Sequence, residues 1–327
     1  MRKWVEAQSR VMERAISPLW SIAVAITTLI GPAIGAGVFW FWGYRARRQR
    51  RRNPLSRHLL RSPGHSLLER VDELRWDLAG YLAVSMLPVP FAAMIYLATW
   101  VSEGHHPSVF ILALSIVFAV GFQLWSVRKV WRVLIEIRPL RLGYEAELAV
   151  GQELNDLARL GYRVFHDLSV DEREFNVDHV LVGPAGVFAV ETKGRSKPTT
   201  SADGRDAWEV QYDGEVLEFP GWKEKKPLAQ ATAIGNWLRD WLSSAVGDRV
   251  AVQPLLTLPG WYVKRTTGRG IPVLSGGQIA SYFGGLKRDP AMTPEMIQRI
   301  AHQLDQRCRD VEPRAYAQAR TQPEKRL

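Results

Sequence analysis

The sequence is short of the groups on which many chemistries depend. A single cysteine, Cys308, in 327 residues excludes an intramolecular disulfide and any cysteine-built zinc or iron–sulfur centre within one chain. No glycine-rich phosphate loop, no Ser/His/Asp order and no internal repeat can be defended. Charge is absent from three stretches, residues 19–44, 78–101 and 107–127. At about 1.5 Å per residue each can cross a hydrocarbon layer of about 30 Å. The lack of any ionisable residue inside them argues against a transport pathway.

What charge there is has been segregated. The net charge of +10 lies wholly in residues 1–140, with 18 Lys/Arg against 8 Asp/Glu, whereas residues 141–327 carry 25 of each. Residues 45–61 hold eight arginines and no acid, and Arg128, Lys129 and Arg132 follow the third apolar stretch beside Trp125 and Trp131. Cationic, aromatic edges of this kind mark the cytoplasmic side of a membrane. The expectation is a three-span anchor over residues 1–140 in an inner (cytoplasmic) membrane. Its N-terminus and the 102–106 turn lie outside; the 45–77 loop and the globular part face the cytoplasm. Two readings compete for residues 45–61: contact with anionic lipid, which the charge segregation favours, and DNA binding. Gly31 and Gly35 give a Gly-xxx-Gly spacing through which the first span could form a homo-oligomer. Pro88 and Pro90 should kink the second span.

The globular half is expected over residues 141–311, with 312–327 a polar, disordered tail. Leucines at helical intervals predict a helix over 143–160 ending at Gly161, followed by a strand over 162–168. Residues 177–182 and 187–193 then read as a hairpin around Gly183-Pro184-Ala185-Gly186. If the loop closes on Val182 and Val187, His179 faces Val190 and Asp178 faces Glu191. Two carboxylates so opposed repel each other unless a cation sits between them, and Mg²⁺ is commonly held by one or two carboxylates with water and phosphate oxygens. Lys193 falls on the same face by strand alternation, whereas His179 points to the other face as a packed or hydrogen-bonding residue. Further on, Asp213-Gly214 predicts a tight hairpin, Pro227 opens a helix toward Gly247, residues 250–258 and 271–274 read as strands, and Thr293 caps a last helix.

The run VDHVLVGPAGVFAVETK resembles the core of the nuclease-related domain, the NERD family, within the PD-(D/E)XK nuclease-like superfamily. The resemblance covers about residues 141–260. It implies a restriction-endonuclease-like mixed sheet flanked by helices, an α/β domain following α-helical transmembrane segments. It also implies metal-dependent hydrolysis of nucleic acid phosphodiesters, DNA before RNA. Asp178 and Glu191 would then hold Mg²⁺ or Mn²⁺, and Lys193 would orient the nucleophile or stabilise developing charge. Glu147, with Glu145 as the alternative, would join the acidic cluster. Gln230, in Pro227-Leu228-Ala229-Gln230, is similar to the family's Pro-x-x-Gln element and would orient a water or a phosphate. The competing reading is a non-catalytic membrane adaptor that keeps the fold to bind nucleic acid or a partner protein. The complete acid pair with its lysine favours the enzyme, and the near-neutral globular half favours the adaptor.

Overall fold

The computed structural model describes residues 37–38, 40–41, 57–102, 109–170, 176–198 and 207–312. Most of the expected first span, nearly all of its following arginine block, the His105-His106 turn and the C-terminal tail from residue 313 lie outside the described residues. Contacts divide the rest into two units, one built around Leu74–Ile135, the other from Leu55–Glu73 and Glu136–Pro313. The second unit therefore includes residues on the anchor side of the boundary that hydropathy places at residue 140.

In the first unit the chain is helical. Helix α1 (His65–Ser85) is separated by Met86 and Leu87 from α2 (Pro88–Ser102), a break that falls where Pro88 has no N–H to give. Helix α3 runs Val109–Asn155 with Pro139 inside it. The expected fresh start at residue 143 is thus not found. One lost main-chain bond at Pro139 is outweighed by helix-forming sequence on both sides, where Arg141 pairs with Glu145 at 3.2 Å one turn on. Two helical stretches, His65–Trp100 and Val109–Leu160, are long and apolar enough to cross a membrane, and their apolar windows are only 6% and 11% buried. Tyr81 meets Trp125 edge-on, and Lys129 Nζ lies 5.8 Å from the Trp125 ring centroid, an aromatic–cationic edge of the expected kind.

The second unit is a mixed sheet between helices. A 3₁₀ turn (Asp156–Leu160) ends at Gly161 in the left-handed conformation, and β1 (Arg163–Ser169), β2 (Asn176–Gly183) and β3 (Gly186–Thr192) follow. The β2–β3 register is the expected one, Val182 opposite Val187 through His179 opposite Val190. A smaller sheet takes β4 (Glu209–Tyr212), β5 (Leu217–Phe219) and β6 (Trp222–Glu224), the first two joined through Asp213-Gly214. After α4 (Lys226–Val246), β7 (Val252–Thr257) and β9 (Val273–Leu274) extend the main sheet in parallel, giving the order β1-β2-β3-β7-β9. Strand β8 (Tyr262–Arg265) instead joins β4. Helices α5 (Ile279–Gly284) and α6 (Pro294–Cys308) complete the unit, the latter capped by Thr293, whose hydroxyl accepts from the Met296 N–H.

Both faces of the main sheet are covered, which is why its hairpin reads as a nearly continuous apolar run. Val180, Val182, Val187 and Ala189 pack on Ile234, Leu238 and Leu242 of α4 and on Ile300 and Leu304 of α6. Leu181, Phe188 and Val190 pack on Val150 and Leu154 of α3 and on Phe283 of α5. Alternation along β2 and β3 thus assigns each side chain to one helix layer. Strand β6, strand β8 and helix α5 were not expected. Each is short, with too few residues to show a period.

Candidate active site

The sheet opens at Asp178. In the β1–β2 ladder His166 pairs with His179 and Leu168 with Val177, but Asp167, between them, adopts φ 52 and is not paired. The β2–β3 ladder likewise stops at His179 and Val190. Asp178 therefore belongs to neither ladder. Its Oδ2 instead accepts the Thr192 N–H at 2.7 Å. This corrects the expected face-to-face pair: Asp178 and Glu191 share a pocket without being ladder partners, because the Asp178 carboxylate takes the N–H next to Glu191. Glu191 is held from behind, its carbonyl accepting from Thr257 Oγ1 at 3.1 Å, and Thr257 Oγ1 lies 2.9 Å from Thr192 Oγ1.

A cleft of about 490 Å³ forms where the sheet opens, and among its lining residues are Glu147, Asp167, Asp178, Glu191, Lys193 and Gln230. All five residues picked out from sequence therefore line one cleft. The side chain of Glu191 is 1% exposed, with Oε1 at 2.5 Å from Lys193 Nζ and Oε2 buried without a hydrogen-bond partner among the described residues. An orphaned buried carboxylate oxygen is costly. Desolvation raises the pKa of Glu191 against the opposing pull of Lys193. Burial also lifts Asp178 well above the ordinary carboxylate range, with Glu191 and Glu147 adding to the rise. Glu147, likewise buried, is pushed up to about 8 by desolvation first and then by Asp167 and Glu191. Glu145 pairs with Arg141 on an exposed face and does not line the cleft.

His179 behaves as a packed residue. Its Nδ1 lies 2.9 Å from His166 Nδ1, and His166 Nε2 lies 3.2 Å from Asn155 Oδ1. Burial holds His179 well below its usual range and lowers His166 to about 4, so the pair is neutral at pH 7. Sequence reasoning missed Asp167. An acid interrupting the apolar run of β1 was the available signal, and its partner Ser66 is 101 residues away in the chain.

A second cleft adjoins the first and shares Lys193, Arg195 and Gln230 with it, adding Lys223, Lys225 and Lys226. Arg195 is paired with Glu224, Nη2 to Oε2 at 2.9 Å. Helix α4 begins here with no side-chain cap and no acid in its first turn, so its positive end also faces this cleft.

Residues 142–259 match the nuclease-related domain (NERD) family. No curated protein and no solved structure matches the chain. The NERD match points to a nuclease-like function, and its span includes Glu147, Asp178, Glu191, Lys193 and Gln230 and the C-terminal end of the Val109–Leu160 stretch, but neither the His65–Trp100 stretch nor Ser66.

The donor set can be tested for a hard cation. Among the described residues no group of three or more His, Cys, Asp or Glu is gathered as a ready-made cage. Mg²⁺ does not require one, since it keeps most of its water and binds through one or two carboxylates plus phosphate oxygens. Asp178 and Glu191 could supply those carboxylates, and Glu191 Oε2, which no described residue satisfies, could give a cation an oxygen. The residues fit.

Proposed function

We propose that the chain is a membrane-anchored, metal-dependent nuclease that hydrolyses phosphodiester bonds of nucleic acid, DNA first among them. The observation that carries this reading is the buried Glu191 carboxylate with one oxygen on Lys193 and the other unpartnered among the described residues, in a cleft shared with Asp178 and Glu147. Asp178 and Glu191 would hold Mg²⁺ or Mn²⁺. Bound there, the cation supplies Lewis-acid polarisation of the scissile phosphate. Lys193, already at the acids, lies where its ammonium can stabilise charge growing on the phosphate oxygens. Glu147, poised near neutrality, can hold or release a proton as water adds to phosphorus and the ester P–O bond breaks. The cationic cleft beside the site gives the flanking phosphates a place to lie.

The anchor reading is supported by the low burial of the two apolar helical stretches, since a core helix of a soluble protein would be mostly covered. The cationic edge at Arg128, Lys129 and Arg132 supports a nuclease unit on the cytoplasmic side. Reporter fusions at residue 60 and at the C-terminus should both score cytoplasmic; an external C-terminal signal would refute this topology.

The test of the activity is the detergent-solubilised full chain incubated with single- and double-stranded DNA and RNA, with Mg²⁺, Mn²⁺ or chelator. Cleavage should need metal. If no substrate is cut and neither metal raises the melting temperature, the non-catalytic adaptor reading takes its place. Gln230 gives a finer check. Its position near the start of α4, lining both clefts, suits it to orient water or phosphate rather than to support the core. Gln230→Ala should keep the wild-type melting temperature and lose about tenfold to a hundredfold in turnover. Unaltered cleavage would remove Gln230 from the site.

A further inference from the structure

One wall of the acidic cleft comes from far outside the family match. Residues 59–67, which lead into α1 and form its first turn, are tied to the nuclease unit at several points. Leu59 and Val311 exchange main-chain hydrogen bonds of 2.8 and 3.2 Å. The Arg61 N–H donates to the Cys308 carbonyl at 2.9 Å, and the Arg61 guanidinium grips Asp310 through two bonds of 2.8 and 2.7 Å. Arg61 Nη1 also donates to the Asp167 carbonyl at 3.2 Å.

Asp167 is the latch. Its side chain is 2% exposed, and its oxygens accept from the Ser66 N–H at 2.6 Å, the Ser66 hydroxyl at 2.8 Å and Asn176 Nδ2 at 2.8 Å. Holding these three donors goes together with φ 52, a left-handed backbone that Asp adopts more readily than most residues. Two residues before Ser66, the Gly64 N–H works against the rise of the Glu147 pKa. Gly64 has φ 67, and a Cβ there would lie 2.8 Å from Tyr144 Cδ2, one helical turn before Glu147. Glycine is thus needed for the main chain to come this close to α3. Ser66 and Leu67 themselves line the cleft.

We propose that residues 61–67 act as a strap that positions Glu147, with Asp167 as its latch and Ser66 and Gly64 as positioning residues, so that the acidic site is complete only when the segment leading into the membrane-length helices is docked. The strap sets the Glu147 carboxylate from one side while β2 and β3 set Asp178 and Glu191 from the other. Its effect on turnover rests on the nuclease reading; its docking does not.

The experiment uses the detergent-solubilised full chain and two readouts. Amide hydrogen exchange compares wild type with Asp167→Asn, a change that tolerates the left-handed backbone but removes the charge and part of the acceptor capacity. The Ser66 amide should exchange about tenfold faster or more in Asp167→Asn, while Val180 and Val190 in the sheet stay protected. Steady-state cleavage compares Ser66→Ala with Ser66→Thr. Ser66→Ala should lower kcat about tenfold with KM unchanged, and Ser66→Thr, which keeps the hydroxyl, should recover most of the loss. A Ser66 amide that exchanges no faster in Asp167→Asn than in wild type would overturn the proposal whatever the activity. So would a Ser66→Ala loss that appears only in KM or that Ser66→Thr does not relieve. A wild-type chain that cleaves nothing would sink the nuclease reading alone, and the exchange comparison would still decide whether the strap is latched through Asp167.

Discussion

Replacing Asp178 by Asn should abolish metal-dependent cleavage and yet leave the metal-free protein as stable as wild type or more so. The two effects have one cause. Burial raises the pKa of Asp178, and the nearby Glu191 and Glu147 raise it further, so its charge is a liability to the empty fold. An asparagine keeps the oxygen that accepts the Thr192 N–H and sheds that liability. With the acid gone, so is one of the two carboxylates suited to hold the cation, whose loss removes several kcal/mol of transition-state stabilisation, on the order of 10³-fold in rate. Mg²⁺ or Mn²⁺ should then add little to the melting temperature of Asp178→Asn. In wild type a hundredfold excess over the dissociation constant should add about 2.7 kcal/mol. Lys193→Ala separates the roles: cleavage should fall comparably while metal-induced stabilisation persists, because the lysine is a charge partner of Glu191 and not a ligand. Calorimetry with and without metal, beside a cleavage assay, checks both variants. An Asp178→Asn protein that melts well below wild type without metal would show that the acid is a structural anchor instead.

The hairpin was legible because it is made of local signals. Period-two alternation and a four-residue Gly/Pro loop fix a register, and the register fixes which face each polar residue takes. Asp178, Glu191 and Lys193 could be placed together from that alone. Glu147 and Gln230 were harder, since a glutamate or a glutamine on a helix has no spatial signature; they came from the family resemblance and line the same cleft. What could not be read was anything carried by long-range pairing. The left-handed Asp167 that opens the sheet, the strap from residues 61–67, and the parallel joining of β8 to β4 across three intervening strands and a helix all depend on partners far off in sequence. Arg61 illustrates the point. Composition assigns it to a lipid-facing basic block, but its side chain is 15% exposed and committed to Asp310 and Asp167.

The stability of the metal-free protein should fall between about pH 6.5 and pH 8, and Glu147→Gln should make that fall shallower. A carboxyl group whose folded pKa is raised keeps its proton where the unfolded chain has released it. Its contribution is full below the unfolded value and is lost as pH rises toward the folded one. For Glu147 that range runs from the ordinary 4.5 to about 8. The histidine pair works the other way. His166 is lowered from 6.5 to about 4, so its contribution is present above 6.5 and lost as pH falls toward 4, and His179 shifts in the same direction. Between pH 4.5 and 6.5 acids and histidines therefore oppose each other, and the curve should be shallow. Above 6.5 the histidines are neutral in both states and only the acids act. At about 1.4 kcal/mol per pH unit for one proton, Glu147 accounts for a loss of roughly 2 kcal/mol across this window. Mg²⁺ should reverse the trend, since it competes with protons for the same cleft and its stabilisation grows as the acids ionise. Denaturant titrations of the solubilised chain in chelator at pH 6.5, 7.2 and 8 measure the slope directly. A flat wild-type curve, or a slope unchanged in Glu147→Gln, would mean that Glu147 is ionised throughout and takes no part in proton transfer near neutrality.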